Sequence, residues 1–174
     1  MEDLKLNIKN ALLLINKKED IFAQEKGLDS LIQMTVNNEQ CCLILGKLNV
    51  ISVLKFFFSK NNPVLVGHVC IFYCNMATFY KPNIDKMKDI GLPDLTFKLL
   101  ISSSNEYVVT SMLKLVDVIC SDEECRKFYS NIKVTHKLLE ILILCPNAST
   151  IVWNIFLQVL QQGIFFKLFA TFKK

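Results

Sequence analysis

The sequence predicts an all-α protein made of stacked helical repeats, and three observations lead to this fold class. Hydrophobic residues make up 52% of the 174 residues and charged residues only 21%, which excludes a disordered chain. The chain contains 5 Gly and 4 Pro, too few for the frequent turns of a β-sandwich or barrel. A pattern of three helices also recurs with a period of roughly 42 residues, which is typical of helical-repeat proteins.

The clearest unit of this pattern covers residues 61–103. Asn62 and Pro63 suit the start of a long helix, because Asn caps a helix well and Pro is tolerated in its first turn. Pro82 opens a shorter helix, and Gly91 precedes a third helix with apolar residues spaced along one face. The predicted helices of this unit are 64–80, 82–90 and 92–102.

A second unit, residues 104–145, repeats the same order of helices. Ser121 and Asp122 provide a helix cap, and acidic residues follow in the first turn of the short helix. An incomplete unit, residues 146–162, then adds one more long helix. The predicted helices of these two units are 108–120, 122–132, 134–145 and 150–162. A unit of this kind has two apolar faces and buries both only when neighbouring units stack on it.

The N-terminal third is less regular, with one unit at 1–37 and an incomplete unit at 38–60. We expect Gly27 at a corner between two helices, and we expect one long helix to be missing around residues 37–39. A degenerate unit, or a shortened version of a longer chain, would explain the gap. The predicted helices here are 4–15, 19–25, 28–36, 40–45 and 50–58. Residues 163–174 are predicted to form an apolar and basic C-terminal tail.

Several motifs resemble the armadillo-repeat family. The run Ile90-Gly91-Leu92-Pro93-Asp94-Leu95 is similar to the start of an armadillo unit, and Lys26-Gly27-Leu28 is a second such corner. The run from His68 to Ala77 is similar to the long helix, with Asn75 at the asparagine position. The resemblance implies a right-handed α-α superhelix, here short and partly irregular, that binds a partner protein along a concave face. HEAT repeats are the closest structural alternative.

Polar residues on the long helices are the candidate protein-binding site. In an array of repeats the long helices line the concave face, and a mixed polar and apolar groove there would accept an extended or helical segment of a partner. The alternative is that these residues are only the solvated side of amphipathic helices. The candidate residues are His68, Ile71, Phe72, Asn75, Thr110, Ser111, Lys114, Asp117, Gln158 and Gln162.

The sequence does not predict an enzyme, a metal site or a cofactor site. The chain has two histidines, and the spacing of His68 from Cys70 and Cys74 suits neither a nucleophile pair nor a zinc site. It has no C-x-x-C motif, and all its glycines are isolated, so no phosphate-binding loop is predicted. Arg126 is the only arginine, which argues against nucleic-acid recognition.

The predicted function is therefore a scaffold or adaptor for another protein, with assembly or co-chaperone factors among the armadillo roles. Seven cysteines, most of them within apolar helical patterns, favour a reducing compartment, the cytoplasm or the nucleus. The acidic start lacks the features of a signal peptide, and polar residues interrupt the most apolar stretch, 151–166. Two alternatives remain: a marginally stable or self-associating repeat fragment, and membrane association through Ile164 to Lys174.

Overall fold

In a computed structural model, which describes residues 2–130 and 132–160, the chain forms α-helices and no strand within those residues. The predicted all-α class is therefore confirmed. The helices are α1 (Glu2–Ile15), α2 (Ile21–Thr35), α3 (Glu39–Lys47), α4 (Val50–Leu54), α5 (Pro63–Phe79), α6 (Asn83–Asp89), α7 (Leu92–Ser102), α8 (Glu106–Ile119), α9 (Glu123–Tyr129), α10 (Ile132–Leu144) and α11 (Ser149–Leu160).

The chain divides into two compact units, Met1–Ile90 and Gly91–Lys174. Helices α1 to α6 belong to the first unit and α7 to α11 to the second. The predicted tail, residues 163–174, and the candidate residue Gln162 lie outside the described residues.

Helix α2 corrects the prediction of a corner at Gly27. It runs without a break over 15 residues, and Gly27 is buried within it. A Cβ atom at Gly27 would lie 2.7 Å from the backbone oxygen of Ala11 and 2.8 Å from Cγ1 of Ile15. The glycine is therefore needed because α1 packs closely against α2 at this point, and it does not turn the chain.

No long helix lies at residues 37–39, where the sequence pattern left one out: α2 ends at Thr35 and the short helix α3 begins at Glu39. Asn38 then caps α3, its side chain accepting a hydrogen bond from the backbone N–H of Cys41. In the described chain the long helices α2, α5 and α8 are each followed by a short helix, α3, α6 and α9 respectively.

The core of the first unit lies around the pair α2 and α5. Side chains from both helices are completely buried: Leu28, Leu31, Val69, Phe72, Tyr73 and Met76. Asn62 starts α5 as predicted, because its side chain accepts hydrogen bonds from the N–H groups of Val64 and Leu65, with Pro63 in the first turn. The helix predicted over 50–58 is observed as α4 followed by a 3₁₀ helix, Lys55–Ser59.

The second unit begins at the corner predicted for Gly91, which has a φ of +71° immediately before α7. Asp122 caps α9 as predicted, accepting hydrogen bonds from the N–H groups of Glu124 and Cys125. The buried hydroxyl groups of Thr96 on α7 and Tyr129 on α9 are hydrogen-bonded to each other. Helix α11 packs along α8, and its residues Val152, Ile155, Phe156 and Val159 are buried.

In the part of the chain that the structure describes, no single helix has both the length and the apolar character needed to cross a membrane. Helix α3 together with residues Val50–Ser59 meets that test of length and composition only as a pair bent by 75°. Both members of the pair contribute completely buried residues to the first unit, among them Cys41, Cys42, Leu45, Ile51 and Leu54.

Candidate protein-binding site

Asn75, near the centre of the predicted site, connects two long helices of the first unit. Its Nδ2 donates hydrogen bonds to the Ile32 carbonyl oxygen at 3.3 Å and to Oγ1 of Thr35 at 3.2 Å, both on α2. The thiol of Cys42 lies 3.7 Å from the Thr35 and Asn75 carbonyl oxygens. The Asn75 side chain is half-buried, so it fixes α5 against α2 while part of its surface still meets solvent.

His68, seven residues before Asn75, makes a second connection between the same helices. Its Nε2 lies 2.9 Å from Oδ1 of Asp29 on α2, and its Nδ1 lies 2.7 Å from the Val64 carbonyl oxygen. Both partners are hydrogen-bond acceptors, and each faces one of the two ring nitrogens of His68. The two predicted residues His68 and Asn75 therefore do lie along one side of α5, and that side faces α2.

Asp117 and Gln158 form the corresponding connection in the second unit. Nε2 of Gln158 on α11 donates to Oδ1 of Asp117 at 2.7 Å and to the Asp117 backbone oxygen at 3.1 Å, both on α8. Partial burial raises the pKa of Asp117, and hydrogen bonds from Gln158 and Asn154 act in the opposite direction. Two residues of the predicted protein-binding site are thus in direct contact.

The partners in these connections are separated by a number of residues close to the period of roughly 42 that the sequence predicts. Thr35 and Asn75 are 40 positions apart, and Asp117 and Gln158 are 41 apart. Other hydrogen bonds within each unit have the same spacing: Asn83 to Cys42 (41), Lys86 to Gly46 (40) and Asn147 to Glu106 (41). Within each unit, therefore, several side chains bind residues that lie 40 or 41 positions earlier in the chain.

The remaining predicted residues differ in their exposure. Lys114 is exposed, and Ile71 and Thr110 are half-buried. Phe72 and Ser111 are buried, which corrects their assignment to a partner-binding surface. Phe72 follows Ile71 and Ser111 follows Thr110 in the sequence. Successive residues of a helix point in directions about 100° apart, so Phe72 and Ser111 point into the core although the residues before them are half-buried.

Four residues outside the predicted site contact its members or lie beside one of them on the same side of a helix. Thr35 and Asp29 are the partners of Asn75 and His68, and Asn154 is a partner of Asp117. Tyr107 is exposed on α8, seven residues before Lys114 and hence on the same side of the helix. The position one predicted period before Asn75 falls near Thr35, so the period could have identified Thr35. No sequence pattern pointed to Tyr107.

The cysteines form part of the core in each unit. Burial raises the pKa of Cys42 to about 12, with a smaller contribution from the neighbouring Cys41. Burial also raises the pKa of Cys70 well above its ordinary value. These thiols stay protonated at neutral pH and behave as small apolar groups. Among the described residues, no group of three His, Cys, Asp or Glu side chains is placed to hold a metal ion.

Comparisons with protein families, curated protein sequences and solved structures give no match to this chain.

Proposed function

We propose that this chain is a non-catalytic scaffold or adaptor of armadillo type, whose long helices hold an extended or helical segment of a partner protein. The observation that carries this proposal is the set of hydrogen bonds between residues one repeat period apart. Such bonds are expected where equivalent helices of successive repeats lie side by side, as in a helical-repeat array. Helices α2 and α5 are paired in this way in the first unit, and α8 and α11 in the second.

The polar groups along these helices are suited to binding a peptide backbone. Asn75 and Asn154 carry amide groups, which can both donate and accept, and both side chains reach the surface. On α8 the side chains of Tyr107, Thr110 and Lys114 follow one side of the helix and add aromatic area, a hydroxyl group and a positive charge. A surface of this composition favours a partner segment with an acidic residue and at least one apolar anchor.

As part of the same proposal, the protein is located in a reducing compartment, either the cytoplasm or the nucleus. All seven cysteines are free thiols, and five of them are buried: Cys41, Cys42, Cys70, Cys120 and Cys125. An oxidising compartment would favour disulfides in a chain with so many cysteines. Buried thiols that pack as apolar groups support the assignment.

Peptide display against the purified chain tests the function directly, and a crosslinking pull-down from cell extract supplies natural sequences for the same assay. We expect enriched peptides to lose at least about tenfold in affinity, equivalent to about 1.4 kcal/mol, with Tyr107→Ala or Lys114→Glu. Both side chains are exposed, so these changes leave the core intact. Lys47→Glu, an exposed charge change on α3, is the matched control. Equal binding by all three variants would contradict a site on α8.

A further inference from the structure

Helices α2 and α5 of the first unit lie side by side and run in the same direction. Asp29 on α2 contacts His68 on α5, and Thr35 farther along α2 contacts Asn75 farther along α5. Two contacts in the same order along both helices require a parallel pair. Because these contacts join the helices directly, the exposed residues beside them on α2 and on α5 form one surface.

The beginning of both helices exposes apolar side chains on this surface. Phe22 is 77% exposed and lies seven residues before Asp29, hence on the same side of α2. Val64 is 39% exposed and lies four residues before His68 on α5. Because the helices are parallel, Phe22 and Val64 lie toward the same end of the pair. That end therefore offers apolar area to a partner.

Acidic side chains lie next to this apolar end. Glu25 is half-buried and lies four residues before Asp29, on the same side of α2 and at the level of Val64. Within the described residues Glu25 makes no ion pair, and the side chain of Asp29 is 56% exposed although it is paired with His68. Lys26, the lysine of α2, points about 100° away from Glu25, and α5 contains no lysine or arginine. Like charges four residues apart on a helix repel each other, so a positive charge above them is favourable.

We infer that the α2–α5 surface, formed by Phe22, Glu25, Asp29, Val64 and His68, binds a partner segment that carries a lysine or arginine beside an apolar side chain. The basic group would lie over the two carboxylates and the apolar group against Phe22 and Val64; an arginine could also stack on the phenylalanine ring. The acidic residues disfavour nucleic acid and anionic membranes, so the occupant is a protein segment. This inference rests on the proposed scaffold function and gives the first unit a charge preference opposite to that proposed for α8.

Selection of short displayed peptides on the purified, unaltered chain tests the inference. We expect one class of enriched peptides to carry lysine or arginine close to an aromatic or aliphatic residue. The affinity of this class should fall at least about tenfold with Glu25→Lys or with Phe22→Ser. Asp89→Lys on α6 and Leu13→Ser on α1 are the matched controls, because both residues are exposed in the first unit and lie outside α2 and α5. They should leave the affinity unchanged.

A charge exchange between peptide and protein shows whether the contact is direct. Glutamate in place of the basic residue of the peptide should weaken binding to the unaltered chain and improve binding to Glu25→Lys, a gain that a misfolded variant could not produce. An enriched pool without basic peptides would overturn the inference, as would basic peptides that bind Glu25→Lys and Phe22→Ser as tightly as the unaltered chain. Acidic peptides that still depend on Tyr107 and Lys114 would leave the proposed function in place, so the two proposals can fail separately.

Discussion

Asn83 and Gly46, on different helices of the first unit, fit together without room for another atom. Oδ1 of Asn83 lies 2.2 Å from the point that a Cβ atom on Gly46 would occupy. The Nδ2 atom of the same side chain donates to the carbonyl oxygens of Cys42, at 3.2 Å, and Met76, at 3.0 Å. A buried amide thus joins α6 to α3 and α5, and Gly46 provides the space for it.

A Gly46→Ala substitution should therefore destabilise the protein. The added methyl group would displace Asn83, with an overpacking cost of about 1–3 kcal/mol, and would weaken the two hydrogen bonds. Urea unfolding followed by circular dichroism gives the loss in the free energy of unfolding. In an Asn83→Ala background the same change should cost less, because the two residues are coupled. An equal cost in both backgrounds would show that the contact is unimportant.

Gly91 should tolerate asparagine far better than valine. Its φ of +71° is unfavourable for a β-branched residue, whereas no heavy atom lies within 4 Å of the point that a Cβ atom there would occupy. Asn37 and Asn49 already adopt φ values of 53° and 58° in this chain. We expect Gly91→Val to cost about 1–2 kcal/mol and Gly91→Asn to cost little. Thermal unfolding of both variants measures the difference, and equal melting temperatures would argue against a backbone requirement at this corner.

Replacement of Tyr129 by phenylalanine should destabilise the second unit. The Tyr129 hydroxyl group is buried, is hydrogen-bonded to Oγ1 of Thr96 and also donates to the Pro93 carbonyl oxygen at 3.3 Å. Loss of these bonds is expected to cost about 1–2 kcal/mol, measured by urea unfolding. Tyr107→Phe removes a hydroxyl group from an exposed ring and is the matched control. A larger effect at Tyr107 than at Tyr129 would contradict this assignment.

Asp117 should make the stability of the protein depend on pH in an unusual direction. Burial raises its pKa above 3.8 in the folded chain, so the folded state binds the proton more tightly than the unfolded state. The resulting stabilisation is fully present below pH 3.8 and is lost as the pH rises through the folded-state pKa. In Asp117→Asn no carboxyl group can ionise, so this stabilisation is not lost as the pH rises. The asparagine side-chain oxygen can still accept a hydrogen bond from Gln158.

We therefore expect Asp117→Asn to equal the unaltered chain in stability near pH 3 and to gain on it toward neutral pH. Thermal unfolding at a series of pH values gives the difference between the two proteins. Glu140→Gln removes an exposed carboxylate from the same unit and serves as the control. A difference between Asp117→Asn and the unaltered chain that is constant with pH would contradict the raised pKa.

The cysteines should react with a thiol reagent in an order set by burial. Cys74 and Cys145 are half-buried, whereas Cys42 and Cys70 are buried and have raised pKa values. Since the thiolate is the reactive form, we expect Cys74 and Cys145 to be labelled first and the other two only on unfolding. Timed alkylation followed by peptide mass spectrometry measures the order. Early labelling of Cys70 would show that the first unit opens readily.

The sequence alone determined the helical class and most helix boundaries, because apolar spacing, caps and corner residues act locally. Asn62, Gly91 and Asp122 have the local roles that the sequence predicts for them. The tertiary structure decided whether Gly27 would turn the chain or lie inside a helix, since the answer depends on the approach of α1. It also decided which polar residues on the long helices meet a neighbouring helix. Asn75 and Gln158 bind partners about one period away, whereas Phe72 and Ser111 are buried, because the direction in which each side chain points has meaning only once a second helix lies beside the first.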